Sequence, residues 1–272
     1  MFQKSDIQVL ISTMNRSNFD FLEDIFLFSD YKQFNILIVN QTSQNNLLVS
    51  DNDNIKVYNV FENGLSKSRN LAIQNATKKL LIFADDDIVF KQNFESKILK
   101  AFNEHPNSDG FRFQFLNRSG NYAKKYPKKF RAKLSKLELL NTSSVELVVK
   151  NESIKHVNVK FDEHFGLGTI FFMGEEAIFV SDLIKKGLKI GFIPEQILLH
   201  NNVSTGNKTE SSSLYFVQSA VFYRIFGMRY LFWIGLKLFF DLNRSKIKLT
   251  SINSLFQQAQ KGKLAYVNAT KM

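Results

Sequence analysis

The sequence is constrained most by short apolar runs that alternate with helix-length segments and end in polar residues. The runs with strand character are residues 8–13, 34–40, 55–60 and 79–84. Residues 19–28 and 66–76 have the length and apolar spacing of helices, with Ser66 as a candidate N-cap of the second. This alternation predicts an α/β fold with a mostly parallel sheet covered by helices on both faces. Ligands of such sheets bind at the carboxyl ends of the strands, so the polar residues after each run form the candidate site.

The pattern is less regular after residue 93. We expect a helix that ends near residue 105, an apolar run at residues 110–116 and a strand at residues 145–149, with no functional motif among them. Residues 175–186 then predict a helix ended by Gly187, and residues 189–193 predict a strand.

The composition is that of a folded protein. With 272 residues, 44% of them apolar, the chain can fill a sizeable core. It contains no cysteine, which excludes disulfides, thiolate metal ligands and a cysteine nucleophile, so any metal must use oxygen or nitrogen ligands. The first residues lack the apolar region and cleavage site of a secretory signal, so we expect a cytoplasmic protein.

Two segments carry the positive charge. The formal net charge is +11, with seven Lys or Arg in residues 124–136 and ten, against two acids, in residues 203–272. Such segments fit a nucleic acid, an anionic lipid surface or a phosphorylated substrate. We expect no nucleic-acid binding, because the aromatic residues lie in apolar runs and no RNA- or DNA-binding signature is present.

Residues 214–242 are strongly aromatic and apolar. Their uncharged runs fall well short of the roughly 18 apolar residues that a membrane-spanning helix needs. One interpretation is an interfacial helix with Tyr230 and Trp233 at the level of the lipid headgroups and basic residues on anionic lipid. The other is a helix packed on the domain or on a partner.

Three adjacent carboxylates, Asp85, Asp86 and Asp87, directly follow the run LLIFA. Adjacent carboxylates repel one another, and a divalent ion such as Mg²⁺ or Mn²⁺ bridging them to substrate phosphates would relieve that repulsion. The alternative is a solvated acidic turn.

Three further segments carry weaker signals. The segment NGLSKSRN at residues 63–70 could bind an anion at a helix start, or it could be an ordinary capped helix. Glu175 and Glu176 open a predicted helix, where either could act as a general base or simply favour the helix N-terminus. His200 ends the run ILLH as a candidate metal ligand or a structural histidine.

The order of these segments is more specific than any one of them. VLISTMNRS, ILIVNQT, NGLSKSRNLAI, LLIFADDD, FGLGTIFFMGEEAIF and ILLHNNVSTG together resemble the inverting glycosyltransferases of family 2, over residues 7–206. NQT and GLSKSRN are similar to the subgroup from bacterial capsule, exopolysaccharide and lipopolysaccharide biosynthesis. The resemblance implies a GT-A fold, a Rossmann-like mixed sheet flanked by helices. It also implies a glycosyltransferase domain at residues 1–206 and a helical, basic and aromatic region at residues 207–272.

The resemblance also implies roles by position. The expected contacts to the nucleotide sugar are Thr13, Asn15, Arg16, Asn40, Ser66, Arg69, Asp85 and Asp86. The acidic triplet matches the DxD motif of the family, so the expected ligands of Mn²⁺ or Mg²⁺ are Asp87, Asp85 and His200. Asn40 stands where the family usually has Asp and keeps one acceptor oxygen without the charge. Glu176 stands where the family has the Asp that acts as catalytic base, and Glu175 is a second candidate for the base or for acceptor binding.

The expected function is therefore transfer of a hexosyl or N-acetylhexosaminyl group, with inversion, from a nucleoside-diphosphate sugar. A UDP-sugar is the expected donor, and the expected acceptor is a hydroxyl of a glycan, in particular a lipid-linked one at the inner face of the membrane. A sugar nucleotidyltransferase would need a glycine-rich basic loop after the first strand, which LISTMNRS lacks. A catalytically inactive, nucleotide-binding adaptor is the remaining alternative, prompted by Asn40 and Glu176.

Overall fold

The computed structural model describes residues 1–200 and 210–271, and its centre is one eight-stranded sheet. The strands are β1 (Ile7–Met14), β2 (Asn35–Gln41), β3 (Ile55–Val60), β4 (Leu80–Asp85), β5 (Ile88–Phe90), β6 (Gly110–Asn117), β7 (Leu147–Lys150) and β8 (Ile190–His200). The helices are α1 (Asp20–Ile25), α2 (Leu65–Asn75), α3 (Phe94–Glu104), α4 (Lys136–Leu140), α5 (Asn151–Val157), α6 (Glu175–Lys185), α7 (Ser211–Phe226), α8 (Tyr230–Asn243) and α9 (Ile252–Ala269).

The sheet is mixed and mostly parallel, in the order β3-β2-β1-β4-β7-β6-β8-β5. β7 is antiparallel to both β4 and β6, and β5 is antiparallel to β8. The other six strands therefore point the same way, and their carboxyl ends share one edge. The register sets Thr13 beside Asn40 and Ser12 beside Asp85, so the polar strand ends meet at that edge.

Both faces of the sheet are buried, which explains why its strands are continuous apolar runs. On β1, Val9 and Ile11 face a core shared with α1 and α3, whereas Leu10 faces the core under α2, α5 and α6. Successive side chains of a strand alternate between its two faces, so one run supplies both cores.

The C-terminal segment is helical, as predicted, but residues 214–242 form two helices. α7 ends at Phe226, and Gly227, with φ +60°, turns the chain into α8. Arg224 binds Asp162 and Asp182, so α7 is tied to α6 and to the preceding loop. No helix within residues 1–200 and 210–271 is both long enough and apolar enough to cross a bilayer.

Several local expectations need correction. Ser66 is inside α2, whose N-cap is Gly64 with φ +137°. β8 continues to His200 because both β6 and β5 pair with its second half. The short elements β5, α4 and α5 were not predicted from the sequence, because only a few residues carry each pattern. The expected boundary between residues 206 and 207, and residues 201–206 of the last motif, lie outside the described residues.

Candidate active site

A cleft of about 910 Å³ lies at the carboxyl edge of the sheet. The ends of β1, β2, β4 and β8 form one side, and the starts of α2 and α6 form another. α7 contributes Gln218, Val221 and Phe222 to the remaining wall. The cleft is thus where the topology of a parallel sheet places a ligand.

Each carboxylate of the acidic triplet has a different cationic or imidazole partner. Asp85 accepts a hydrogen bond from Arg69 at 3.1 Å, and Asp86 accepts one from Arg16 at 2.8 Å. Asp87 lies 3.1 Å from Nε2 of His200. Asp86 points away from the other two carboxylates, and a separate partner for each of the three relieves their mutual repulsion.

Asp85, Asp87 and His200 form a group that could hold a metal ion, with one candidate ligand atom from each within 4.8 Å of the others. The two carboxylates suit Mn²⁺ or Mg²⁺, and the imidazole nitrogen makes the donor set fit Mn²⁺ better than Mg²⁺, which prefers oxygen ligands. The hydrogen bond from His200 holds the pKa of Asp87 below its ordinary value. Burial opposes a charge on His200, but Asp87 outweighs it and raises the pKa of the imidazole. Asp86 faces away from this group, toward Arg16.

Asn40 shapes the loop after β1. Its Oδ1 accepts from the backbone N–H of Arg16 at 3.1 Å, and its Nδ2 donates to the carbonyl of Arg16 at 2.8 Å and to Asn59 at 3.0 Å. The side chain is fully buried, so these contacts fix the loop that places Arg16 beside Asp86. Asn15 has φ +55°, a conformation that Asn tolerates better than most residues.

Arg69 connects the two acidic groups of the cleft. Although only 2% exposed, its guanidinium donates to Asp85, to Glu175 at 2.9 Å and to Ser144 at 2.7 Å. Burial disfavours its charge, but the surrounding carboxylates outweigh that cost and raise its pKa. Ser66, also buried, donates to the carbonyl of Phe165. Arg69 therefore lines the cleft, whereas Ser66 supports its wall from behind.

Glu175 and Glu176 open α6 in different environments. The side chain of Glu175 is 4% exposed and bound to Arg69, and burial followed by the charge of Glu176 raises the pKa of Glu175 to about 8. Glu176 is 19% exposed and lies 3.6 Å from Arg69. Of the two carboxylates, Glu176 is the one that a ligand in the cleft can reach.

Sequence reasoning missed several residues of the site. Ser144 lies in the segment without a motif, yet it lines the cleft and accepts from Arg69. Gln41 fixes the start of α2 by accepting from the backbone N–H of Gly64 at 2.7 Å. Phe222 was part of the aromatic C-terminal segment, but no local pattern indicated that it would reach the cleft. For Gln41 the only signal in the sequence was its position as a polar residue at the end of the apolar run in ILIVNQT.

The basic residues of the segment at residues 124–136 are exposed except for Lys124, which points inward. Lys124 donates to Ser143 and to the buried Glu146, which also binds Arg112. Burial lowers the pKa of Lys124 despite the opposing effect of Glu146. The hydrogen bonds of Lys124 to Ser143 and to the carbonyl of Asn141 hold the loop that carries Ser144.

Comparison with known proteins gives one family and one group of structures. The model of the family described as "Glycosyl transferase family 2" matches residues 9–161. No curated protein matches the sequence significantly.

Similar solved structures include those of TarS from S. aureus. For TarS 1–349 the TM-score is 0.60 at 15% identity, over 96% of this chain and 82% of the other. For TarS 1–349 in complex with UDP-GlcNAc it is 0.63 at 16% identity, over 93% and 79%. For a longer TarS chain it is 0.57 at 16% identity, over 79% of this chain but only 39% of that one. At these identities the likeness concerns the fold alone, and it confirms the predicted fold class.

Proposed function

The chain belongs to glycosyl transferase family 2, and on that premise we propose that it transfers a sugar, with inversion, from a UDP-sugar to a hydroxyl of a glycan. The proposed sugar is hexosyl or N-acetylhexosaminyl, which the binding of UDP-GlcNAc by the structurally similar TarS supports. The proposed acceptor is a lipid-linked glycan of bacterial capsule, exopolysaccharide or lipopolysaccharide synthesis. The reaction would then take place on the cytoplasmic side of the membrane.

One observation carries this proposal. The group Asp85, Asp87 and His200 and the reachable carboxylate of Glu176 line the same cleft, with Arg69 between them. Asp85, Asp87 and His200 could bind a metal that neutralises a diphosphate, and Glu176 could take the proton of an acceptor hydroxyl. The shared cleft therefore supports a direct reaction between a nucleotide sugar and an acceptor.

The chemistry follows from these groups. Glu176 takes the proton of the acceptor hydroxyl while the hydroxyl oxygen bonds to the anomeric carbon and the bond to the diphosphate oxygen breaks. Attack from the opposite face inverts the configuration. Asp85, Asp87 and His200 would hold Mn²⁺ or Mg²⁺, which would supply positive charge for the leaving diphosphate. Glu175 positions Arg69, which in turn orients Asp85.

We assign the nucleotide to the ends of β1 and β2. Thr13 and Arg16, with Asp86 between them, are proposed to face the base and the ribose, while Asn15 and Asn40 shape their loop. Residues 1–206 are proposed to carry the chemistry, and residues 207–272 to complete the cleft and attach it to its acceptor.

Binding of the donor is tested by thermal unfolding with UDP and GDP, each with Mn²⁺ or with EDTA. A ligand that binds only the folded state raises the melting temperature by mass action. We expect UDP with Mn²⁺ to raise it in the wild type and in Asp53→Asn, an exposed acid outside the cleft, but not in Asp87→Asn. A higher melting temperature with GDP alone would show that the donor carries guanine instead of uracil. No change with either nucleotide would refute the donor site.

Turnover is tested by the release of UDP from UDP-GlcNAc and UDP-glucose with glycan acceptors. We expect Glu176→Gln to retain the UDP-dependent thermal shift and to lose at least about a hundredfold in rate, the usual contribution of a general base. Binding of UDP without turnover by the wild type would favour the inactive adaptor instead.

A further inference from the structure

α8 has a second apolar face that the rest of the described chain leaves uncovered. Its exposed large side chains, with the preceding Met228, are Met228 (68%), Leu231 (42%), Phe232 (65%), Phe239 (57%) and Phe240 (42%). Met228, Phe232 and Phe239 lie on the same side of the helix, and Leu231 and Phe240 lie on the two flanks of that side. We call them the outer face of α8.

The inner face of α8 already accounts for the packing of this helix. Tyr230, Trp233, Ile234 and Leu238 are buried, and Trp233 stacks on Phe226 of α7 at 4.7 Å between ring centroids. A helix of a globular domain needs only one such apolar stripe. The packing of α8 on the rest of the protein therefore does not require the outer face.

The surroundings of the outer face are basic. Exposed Arg229, Arg244, Lys246 and Lys248 flank it at both ends of α8. From residue 227 to residue 272 the sequence has eight Lys or Arg and a single acid, Asp241. That acid is bound by Lys237 and Tyr215, so it does not offset the exposed cations.

We propose that the outer face of α8 docks onto an anionic lipid bilayer surface. Exposed phenylalanines gain free energy by entering the boundary between headgroups and acyl chains, and the surrounding cations are attracted to anionic headgroups. A second copy of this chain would bring an equally basic surface against the first, which like-charge repulsion disfavours. The charge thus selects the membrane as the occupant.

The docking face lies behind the wall of the cleft. Phe222 lines the cleft, and its ring is 6.2 Å from the indole of Trp233, the residue next to Phe232. Docking through α8 would bring the cleft close to the bilayer surface. That this position gives the cleft access to a lipid-linked acceptor rests on the proposed function. The docking of α8 on the bilayer does not depend on it.

The test is flotation of the full chain with phosphatidylcholine vesicles, with and without phosphatidylglycerol. We expect binding to the anionic vesicles that weakens at high salt. The double variant Phe232→Gln/Phe239→Gln should lose at least about tenfold in partitioning, since each ring removed from the bilayer forfeits apolar burial. The matched control Leu27→Gln/Phe28→Gln also replaces two exposed apolar residues, at 63% and 53%, and should bind as the wild type does.

Equal binding by the double variant and the wild type would overturn the proposal, as would the absence of binding to anionic vesicles. A concentration-dependent dimer in sedimentation velocity that the double variant abolishes would assign the face to a second copy instead. The UDP-dependent thermal shift, measured on the same proteins, separates this proposal from the proposed function. An unchanged shift without vesicle binding refutes only the docking, and vesicle binding without a shift refutes only the donor site.

Discussion

Arg69 shows how much of the site depends on one buried side chain. It binds Asp85 of the strand end, Glu175 of α6 and Ser144 of the loop before β7. These partners are 16, 106 and 75 residues away in the sequence. The guanidinium presents several donors in a fixed plane, which lysine cannot reproduce.

We predict that Arg69→Ala lowers the free energy of unfolding by about 3–5 kcal/mol, because it leaves buried acceptors without their cation. Urea unfolding measures this loss. The control Lys67→Ala, two residues earlier in α2, removes only an exposed pair with Glu62 and should leave the free energy of unfolding nearly unchanged. Equal losses in the two variants would show that Arg69 is not the connection described here.

Glu175 predicts a specific dependence of stability on pH. Its folded pKa, raised to about 8 from an ordinary value of 4.5, means that the folded protein keeps a proton that the unfolded chain has released. Stability from this group is therefore present at low pH and falls as the pH rises between those two values. Glu175→Gln removes the titration and keeps an oxygen that can accept from Arg69.

We expect the free energy of unfolding of Glu175→Gln, relative to wild type, to increase steadily from pH 5 toward pH 8. Urea unfolding at several pH values measures it. Glu152→Gln replaces an exposed glutamate of α5 and should run parallel to wild type. A constant difference between Glu175→Gln and wild type would contradict the raised pKa.

At the scale of elements, the contact between α7 and α9 depends on a glycine. A Cβ added at Gly262 would clash with the carbonyl oxygen of Phe216, so the two helices approach here as closely as their backbones allow. Ser219 strengthens the contact by donating to the carbonyl of Ala259. A small residue at this position is therefore a packing requirement of the C-terminal helices.

We predict that Gly262→Ala destabilises the protein by about 1–3 kcal/mol, because the helices must move apart. The matched control is Gly235→Ala in α8, where an added Cβ meets nothing within 4 Å. That change should stabilise the protein by up to about 1 kcal/mol, since alanine favours a helix over glycine. Thermal and urea unfolding distinguish the two signs, and a neutral Gly262→Ala would contradict the close approach.

At the scale of the whole molecule, the C-terminal helices are part of the cooperative fold. Arg224 ties α7 to Asp162 and Asp182, and Tyr266 of α9 packs on Phe165 and Phe171. The same loop carries the contact of Ser66 with Phe165 at the cleft. Loss of the helices would therefore disturb the site as well as the core.

We predict that the sheet and the C-terminal helices unfold in one transition. Trp233 is the only tryptophan and lies in α8, so its fluorescence reports these helices, whereas far-UV circular dichroism reports the whole chain. The two urea curves should coincide, as expected for a single cooperative unit. A fluorescence transition at clearly lower urea would show that the helices unfold separately.

The sequence by itself determined the positions of the main strands and helices and the fold class. It also singled out the polar strand ends, including the acidic triplet and Thr13. These features depend on local spacing, because alternation of apolar residues decides which faces of a strand or helix are buried. The grouping of polar residues at one edge then follows from the parallel arrangement of the strands.

Only the tertiary structure decided which side chains meet. It gave each of the three aspartates its own partner, buried Glu175 while leaving Glu176 within reach, and divided residues 214–242 into two helices. It also drew Lys124 from a basic segment into a buried ion pair. Such contacts join residues far apart in the chain, and local spacing specifies the face on which a side chain lies but not the distant charge that faces it.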